Sequence, residues 1–202
     1  MSAHLKRKYT LEEYFALELS ANERYEFWHG AVFCMSGVSD THALIETNLI
    51  TLLNTNLRGR GCRVFPANMR IKVPSLPPYR YADLSVLCGQ PIFETIGGVD
   101  VLINPTLIVE VLSASTEAYD RGDKFTHYKS IPSFREYLLV AQHRPHITQY
   151  VRQEDDAWRY AEVNEISARL HLPSVDCGLE LSEVYQDVTF PMEPPPNIQW
   201  PA

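Results

Sequence analysis

The sequence lacks the long apolar runs, the signal segment and the cysteine spacing that define several large protein classes. No apolar stretch approaches the roughly 20 residues that a membrane-spanning helix needs, and residues 1–8 contain no apolar segment of a secretory signal. We therefore expect a cytoplasmic protein without a membrane segment. The cysteines, Cys34, Cys62, Cys88 and Cys177, are scattered without metal-ligand spacing. We expect them to be reduced packing residues and expect no zinc site.

Positive charge and phosphate-binding glycine loops are also scarce. Lysine and arginine number 18 against 25 acidic residues, which gives a net charge of −7 and a pI of about 5.5. This balance disfavours a constitutive electrostatic binder of nucleic acid. It does not exclude a nuclease, because an acidic cluster that binds a metal contributes to the same sum. A hydrolase of small phosphate esters is disfavoured, since no glycine-rich loop that could cradle a phosphate is present.

The apolar content is sufficient for one folded domain. The chain has 202 residues, of which 45% are hydrophobic, and a chain of this size can bury a proper core. We expect a single domain over residues 9–190. Residues 191–202 are rich in proline and need not fold.

The central feature of the sequence is an apolar run over residues 106–112 that contains one carboxylate. Branched residues dominate the run and Asn104-Pro105 precedes it, which predicts a strand buried on both faces of a sheet. Glu110 lies in the middle. A buried carboxylate is costly unless it is paired or bound to a cation, so Glu110 is either a functional residue or one partner of a buried salt bridge, with Lys124 as the candidate cation.

A helix and a second apolar strand follow this run. Asp120 and Asp123 predict an acidic variant of the capping box, which would open a helix that carries Lys124. Residues 136–140 are again strongly apolar and predict a second strand. The unit therefore reads as a strand-helix-strand crossover.

A second carboxylate, Asp83, completes a candidate site. Residues 81–87 alternate between apolar and polar positions, which predicts a strand with Asp83 on its polar face. If this strand neighbours residues 106–112, Asp83 and Glu110 lie side by side at one end of the sheet. Two carboxylates suit Mg²⁺ or Mn²⁺, and the Lys124 ammonium could orient or help deprotonate the attacking water of a phosphodiesterase. The alternative role for Asp83 is to cap a loop.

Weaker candidates and turn signals lie elsewhere in the chain. A hairpin is predicted around His29-Gly30, with Glu26 on its first strand, where a carboxylate is most often exposed. His42 falls in the first turn of a helix capped by Ser39-Asp40, where a lone histidine is more often structural. His146 lies near a turn and is expected at the surface.

The remaining segments give simpler predictions. Residues 10–13 form a capping box that opens a short helix. Residues 62–73 read as a strand interrupted by Pro66, which is consistent with a sheet edge or a bulge. Residues 89–100 read as a loop. Residues 146–151 and 158–163 predict an antiparallel meander.

Several stretches resemble the Uma family of proposed restriction endonucleases, which belongs to the PD-(D/E)XK nuclease superfamily. They are Tyr25-Glu-Phe with Gly30, Met35 and His42; Tyr81-Ala-Asp83; residues 107–116; Asp120, Lys124 and Tyr128; and residues 135–138. The resemblance covers about residues 9–188. It implies an α/β fold with a restriction-endonuclease-like core, in which a mixed β-sheet is flanked by helices and carries additional antiparallel hairpins. It also implies Mg²⁺ at the acids and DNA as the partner.

The resemblance assigns candidate roles to individual residues. Asp83 and Glu110 match the motif acids and would be the metal ligands. Lys124 matches the lysine that such relatives supply from the following helix. Glu26 and His42 match family positions and complete the candidate catalytic set.

This sequence departs from the family pattern at four positions. Leu112 occupies the usual place of the motif lysine, Ala82 replaces a proline, and Ala31 replaces an acid after the hairpin. Gln142 stands where relatives tend to have aspartate.

Two interpretations follow from these residues. The first is a Mg²⁺-dependent DNA endonuclease, with a homodimer as one expected assembly, and it is favoured by the presence of Asp83, Glu110 and Lys124 together. The second is a catalytically degenerate nuclease fold that acts as a binding or dimerisation module. The acidic pI and Leu112 favour the second.

Overall fold

The computed structural model describes residues 8–20, 24–28, 30–34, 37–96 and 98–190. The basic residues 1–7, the turn residue His29, Met35 and the proline-rich segment 191–202 lie outside the described residues. Among the helices that are described, none combines the length and the apolar character needed to cross a membrane.

The elements of the described chain alternate between helices and short strands. The helices are α1 (Leu11–Ser20), α2 (Asp40–Asn56), α3 (Glu117–Tyr119), α4 (Phe125–Lys129) and α5 (Leu181–Val184), with a π-helical turn (Asp120–Lys124) between α3 and α4. The strands are β1 (Tyr25–Trp28), β2 (Ala31–Cys34), β3 (Cys62–Pro66), β4 (Arg70–Lys72), β5 (Tyr79–Tyr81), β6 (Leu84–Cys88), β7 (Phe93–Ile96), β8 (Val99–Leu102), β9 (Leu107–Leu112), β10 (Glu136–Ala141), β11 (Ile147–Arg152), β12 (Trp158–Val163), β13 (Arg169–Leu172) and β14 (Cys177–Glu180).

A six-stranded mixed sheet forms the centre of the fold. Its strand order is β12-β11-β10-β9-β6-β3. Strands β9 and β10 run parallel, while β6 is antiparallel to β9. Every residue of β9 and β10 is buried, which explains why both read as continuous apolar runs. The predicted central strand, the strand-helix-strand crossover and the α/β fold class are confirmed.

The two faces of β9 pack against different helices. Leu107, Val109 and Val111 join the core cluster that contains the apolar stripe of α2. Ile108 and Leu112 join a second cluster around Phe125 and Tyr128. Because side chains alternate along a strand, Glu110 points to the α4 side of the sheet.

A second sheet separates residues that the sequence predicts to lie on one strand. Its order is β5-β4-β8-β7, so Tyr81 ends a strand of this sheet, whereas Leu84 begins β6 of the central sheet. The predicted continuous strand 81–87 is therefore wrong in its extent. The chain crosses between the two sheets at Ala82-Asp83, because the Tyr81 side chain is buried in a cluster with Tyr14 of α1.

The structure also differs from two neighbouring predictions. Residues 62–73 divide into β3, which is the predicted edge strand of the central sheet, and β4 of the second sheet. The predicted loop 89–100 instead contains β7 and the start of β8, which form an antiparallel hairpin. The alternation of apolar and polar residues is weak in this hairpin, because β7 is largely exposed.

The expectation that every cysteine is reduced is wrong for two of them. Cys62 of β3 and Cys88 of β6 form a disulfide across a sequence separation of 26 residues. The two residues are direct partners in the strand register, which the sequence does not reveal. Cys177 is buried, and Cys34 is exposed.

Candidate active site

One cleft lies beside the crossing between the two sheets, with a volume of about 530 Å³. Its lining includes the five candidate catalytic residues, namely Glu26, His42, Asp83, Glu110 and Lys124. They come from β1, the first turn of α2, the β5–β6 junction, β9 and the π-helical turn, respectively. The predicted convergence of Asp83, Glu110 and Lys124 is confirmed, while the chemical roles of all these residues stay predictions.

Asp83 and Glu110 are tied to each other through the backbone. The Val111 N–H donates to Asp83 Oδ2 at 2.6 Å, and the Asp83 N–H donates to Glu110 Oε2 at 3.3 Å. Regular pairing of β6 with β9 ends at Leu84 and Val109. Each carboxylate thus accepts a hydrogen bond from the backbone N–H of the neighbouring segment, at the point where regular β6–β9 pairing ends. The alternative role for Asp83, the capping of a loop, is not what the carboxylate does here, because its partner Val111 lies within β9.

The segment after β9 contacts both carboxylate oxygens of Glu110. Lys124 Nζ lies 3.0 Å from Oε2, and the Tyr128 hydroxyl donates to Oε1 at 3.1 Å. Glu110 and Lys124 are only 1% and 3% exposed. Burial holds the pKa of Glu110 well above its usual value, and Asp120 and Asp83 raise it further while Lys124 opposes them.

Lys124 is surrounded by carboxylates. Its Nζ lies 3.3 Å from Asp120 Oδ1 and 3.9 Å from Glu26 Oε1, in addition to Glu110. Burial alone would lower the pKa of this ammonium, but Glu110, Glu26 and Asp120 together hold it well above its usual value. The ion pair required by the structural interpretation of Glu110 is therefore present in the same place as the candidate site.

Asp120 is the residue that sequence reasoning missed. It does not cap the helix as predicted, because the helix opens earlier, where Ser113 O accepts from the Glu117 N–H at 2.9 Å and Ser113 Oγ accepts from the Thr116 N–H at 3.2 Å. Asp120 instead lies in the π-helical turn and is only 2% exposed. Its position four residues before Lys124 was the available signal, but the cap pattern gave a competing interpretation.

Glu26 is buried, which contradicts the expectation that it is exposed. It is 6% exposed, and its Oε1 accepts from the Tyr81 N–H at 2.9 Å. Burial raises the pKa of Glu26, and Lys124 and the Tyr81 N–H oppose that rise. Its environment depends on β5 and the π-helical turn, which are distant in the sequence, so the local pattern of a short hairpin strand could not predict it.

His42, in the first turn of α2, contacts Asp83 in the same cleft. Its ring Nε2 lies 3.4 Å from Asp83 Oδ1. The backbone N–H of His42 donates to Ser39 Oγ at 3.1 Å, which confirms the predicted helix cap. Burial lowers the pKa of His42, but the contact with Asp83 outweighs burial and raises it overall.

Gln142 and Leu112 show how two departures from the family pattern are accommodated. Gln142 Oε1 accepts from Ser39 Oγ at 2.7 Å, and Gln142 Nε2 donates to Leu112 O at 2.9 Å. This amide thus joins the start of α2 to the end of β9. The Leu112 side chain is 2% exposed and belongs to the core around Phe125, so the usual place of the motif lysine is filled by a packing residue.

The donor chemistry of the cleft suits a hard divalent cation. Asp83, Glu110 and Asp120 supply carboxylate oxygens, and Asp120 Oδ1 has an ionic contact with Lys124 but makes no hydrogen bond to a described residue. Within the described ranges, no group of three or more His, Cys, Asp or Glu side chains is arranged around a common metal position. Mg²⁺ commonly uses only one or two carboxylates together with waters and substrate phosphates, so the residues fit a shared site of that kind.

Comparison with known proteins identifies related chains and a related fold. Two uncharacterized proteins of Synechocystis sp. are similar: slr1290 is 32% identical over 91% of this chain and 94% of its own length, and sll1609 is 33% identical over 76% of this chain and 86% of its own length. A crystal structure from Anabaena variabilis, titled as a "putative nuclease belonging to DUF820", superposes with a TM-score of 0.66 at 17% identity. It covers 87% of this chain and 97% of the other, which shows that the fold is shared.

The family model described as "Putative restriction endonuclease" matches residues 11–183. That range contains both sheets and every residue of the cleft named above. This match, together with two relatives above 30% identity, shows that the chain belongs to the Uma2 family.

Proposed function

We propose that this protein is a Mg²⁺-dependent DNA endonuclease of the PD-(D/E)XK type. The observation that carries the proposal is the arrangement around Glu110 Oε2, where Lys124 Nζ lies at 3.0 Å and the Asp83 N–H at 3.3 Å. Two acids and one ammonium therefore meet in a cleft of a nuclease-like fold. Phosphodiester hydrolysis needs this set of charges, because both the attacking water and the phosphate must be positioned and their charge stabilised.

Asp83 and Glu110 are the residues that would hold Mg²⁺ or Mn²⁺. The cation, when bound, lowers the pKa of a water and neutralises charge on the phosphate. Lys124 presents an ammonium that orients the water and attracts the phosphate oxygens. His42 holds Asp83 from one side, and Glu26 holds the ammonium from another.

The substrate, compartment and assembly are finer parts of the same proposal. DNA is proposed because the family description names restriction endonucleases. The cytoplasm is the compartment in which such a substrate would be met. A homodimer is the proposed assembly, and sedimentation velocity would test it directly.

Two observations favour the competing function, a degenerate nuclease fold used for binding or dimerisation. Lys124 forms an ion pair with Glu110 at 3.0 Å, and Leu112 occupies the usual lysine position in the core. In that case Glu110 and Lys124 would form only a structural ion pair. Metal binding distinguishes the two functions.

We expect calorimetric titration with Mg²⁺ or Mn²⁺ to show binding by the wild-type protein and at least about tenfold weaker binding by Asp83→Asn. The asparagine keeps an acceptor for the Val111 N–H but loses the charge that attracts the cation. Asp123→Asn removes an exposed charge nearby and is the matched control, for which we expect wild-type affinity. Absence of metal binding and of duplex-DNA cleavage by the wild type would reject the proposal.

Glu110→Gln provides the corresponding test of catalysis. We expect metal-dependent cleavage to fall by at least about 100-fold, since several kcal/mol of charge stabilisation is lost. The fold should persist, because Lys124 keeps Asp120 and Glu26 as partners. If Glu110 were only a structural partner, its substitution would change the melting temperature and leave metal binding unaltered.

A further inference from the structure

Asp120 is a buried carboxylate whose presence is not explained by stability. It is 2% exposed, and its contact with the Lys124 ammonium at 3.3 Å is an i,i+4 pair within the π-helical turn. Burying a carboxylate costs free energy unless a partner compensates for it. Lys124, however, already has a closer carboxylate partner in Glu110, at 3.0 Å.

Three carboxylates therefore share one ammonium. Glu110, Asp120 and Glu26 all approach Lys124 Nζ within 3.9 Å. Arg80 is a second buried cation that acts on Glu26. Two positive charges still cannot compensate for three negative charges, so Asp120 adds repulsion against the other two acids. A residue that opposes its neighbours in this way is expected at a functional site.

The position of Asp120 differs from that of the other two acids in one respect. Glu26 and Glu110 reach the ammonium from separate strands, whereas Asp120 belongs to the same turn as Lys124. The turn is itself fixed to the sheet, because the Tyr137 hydroxyl of β10 donates to Asp120 O at 3.0 Å. Asp120 can therefore hold the lysine side chain even when Glu110 is engaged by another partner.

We propose that Asp120 is a positioning residue that keeps the Lys124 ammonium at the cleft independently of Glu110. This inference rests on the proposed function, in which Glu110 is a metal ligand and cannot at the same time be the main anchor of Lys124. The π-helical turn supports it, since the turn brings both members of the pair to the cleft lining, and such turns occur frequently at functional sites.

The decisive test is a double-mutant cycle on cleavage of duplex DNA with Mg²⁺. Asp120→Asn is expected to lower kcat by about 10- to 100-fold while KM changes by less than about threefold. In a Lys124→Met background the same change is expected to have no further effect, because Asp120 acts through Lys124. Asp123→Asn removes an exposed charge from the same turn and is expected to stay within about twofold of the wild-type rate.

A second measurement does not depend on activity. In protein labelled with ¹⁵N-lysine and free of metal, the buried Lys124 ammonium is expected to give a slowly exchanging signal. This signal should exchange faster in Asp120→Asn but not in Asp123→Asn. The melting temperature of Asp120→Asn should be unchanged or raised, since repulsion among the acids decreases, whereas a purely structural ion pair would lose stability.

Three results would overturn the inference: wild-type turnover in Asp120→Asn, losses that add in the double variant, or an unchanged ammonium signal. If the wild type shows no cleavage at all, the proposed endonuclease function fails, and the ammonium signal alone still decides whether Asp120 holds Lys124. Should Asp120→Asn not fold, Asp120→Glu serves instead, and it is expected to keep the protected ammonium because it keeps the charge.

Discussion

At the residue scale, the protein concentrates buried charge in a small volume. Glu26, Glu110, Asp120 and Lys124 are each less than a tenth exposed, and the ammonium lies among the three carboxylates. Replacing such a group by a well-packed apolar residue is often neutral or stabilising. Stability alone therefore does not account for the cluster.

A separate buried histidine, His146, gives a pH-dependent prediction outside the cleft. It is 5% exposed, so the expectation that it lies at the surface is wrong. Its Nε2 lies 3.3 Å from Thr148 Oγ1 and 3.4 Å from Glu162 Oε1. Burial lowers the pKa of His146 below 6.5, as do Arg144 and Arg121, whereas Glu162 opposes them.

The lowered pKa means that the unfolded chain binds this proton more readily than the folded protein. The stabilising contribution of neutral His146 is then present above about pH 6.5 and is lost as the pH falls below it. We expect the melting temperature of the wild type to fall more steeply between about pH 7 and about pH 5 than that of His146→Gln. His143→Gln, at an exposed position of the same turn, should follow the wild type. Parallel curves for the wild type and His146→Gln would contradict the prediction.

At the scale of elements, the junctions between segments create the site. The break at Ala82-Asp83, where the chain leaves β5 and enters β6, frees Asp83 to bond the Val111 N–H. The π-helical turn between α3 and α4 brings Asp120 and Lys124 to Glu110. Regular elements position Glu26, His42 and Glu110, and the interruptions add Asp83, Asp120 and Lys124 to the candidate site.

One buried carboxylate, Glu18, links helix α1 to the neighbouring strands. Its Oε2 accepts from Arg70 at 2.7 Å and from the Tyr81 hydroxyl at 3.0 Å, and its Oε1 accepts from the Tyr25 N–H at 2.7 Å. One side chain therefore joins α1, the first hairpin and the second sheet. Because Glu26 follows Tyr25, this junction also helps to place Glu26 in the cleft.

We expect Glu18→Gln to lower the free energy of unfolding by about 2–4 kcal/mol, because Arg70 then loses its charged partner in a largely buried site. Urea unfolding would measure the change. Glu12→Gln, at an exposed position on the same helix, should cost less than about 1 kcal/mol. Equal losses in the two variants would mean that the helix, and not the Glu18 junction, determines the stability.

At the scale of the whole molecule, the net charge of −7 opposes the approach of DNA. If the acids of the cleft bind a cation, part of that repulsion is removed at the cleft. We expect the affinity for a labelled duplex, measured by fluorescence anisotropy with Ca²⁺ in place of Mg²⁺, to rise by at least about tenfold over Na⁺ at equal ionic strength.

The control for this prediction is Glu110→Gln, which lacks a proposed metal ligand and should gain much less from Ca²⁺. Equal ionic strength is essential, because screening by salt alone changes the repulsion between two negative partners. Identical affinities in Ca²⁺ and Na⁺ would show that the acidic cleft is not the place where cation and DNA meet.

The sequence by itself determined the elements whose signals are local. The apolar run with Glu110, the second apolar strand after it and the capping box at residues 10–13 were predicted from neighbouring residues, and the structure confirms them. These signals are reliable because burial on both faces requires a continuous apolar run, and because a cap is satisfied within three residues.

Only the tertiary structure decided the features that join distant segments. The burial of Glu26 depends on β5 and the π-helical turn, and the Cys62–Cys88 disulfide depends on the register of two strands. Asp120 is buried in the candidate site because the short helix α3 begins before it, which places Asp120 in the π-helical turn and not at a helix cap. Pairing between remote segments is fixed by the packing of the whole chain, so a local pattern cannot specify it.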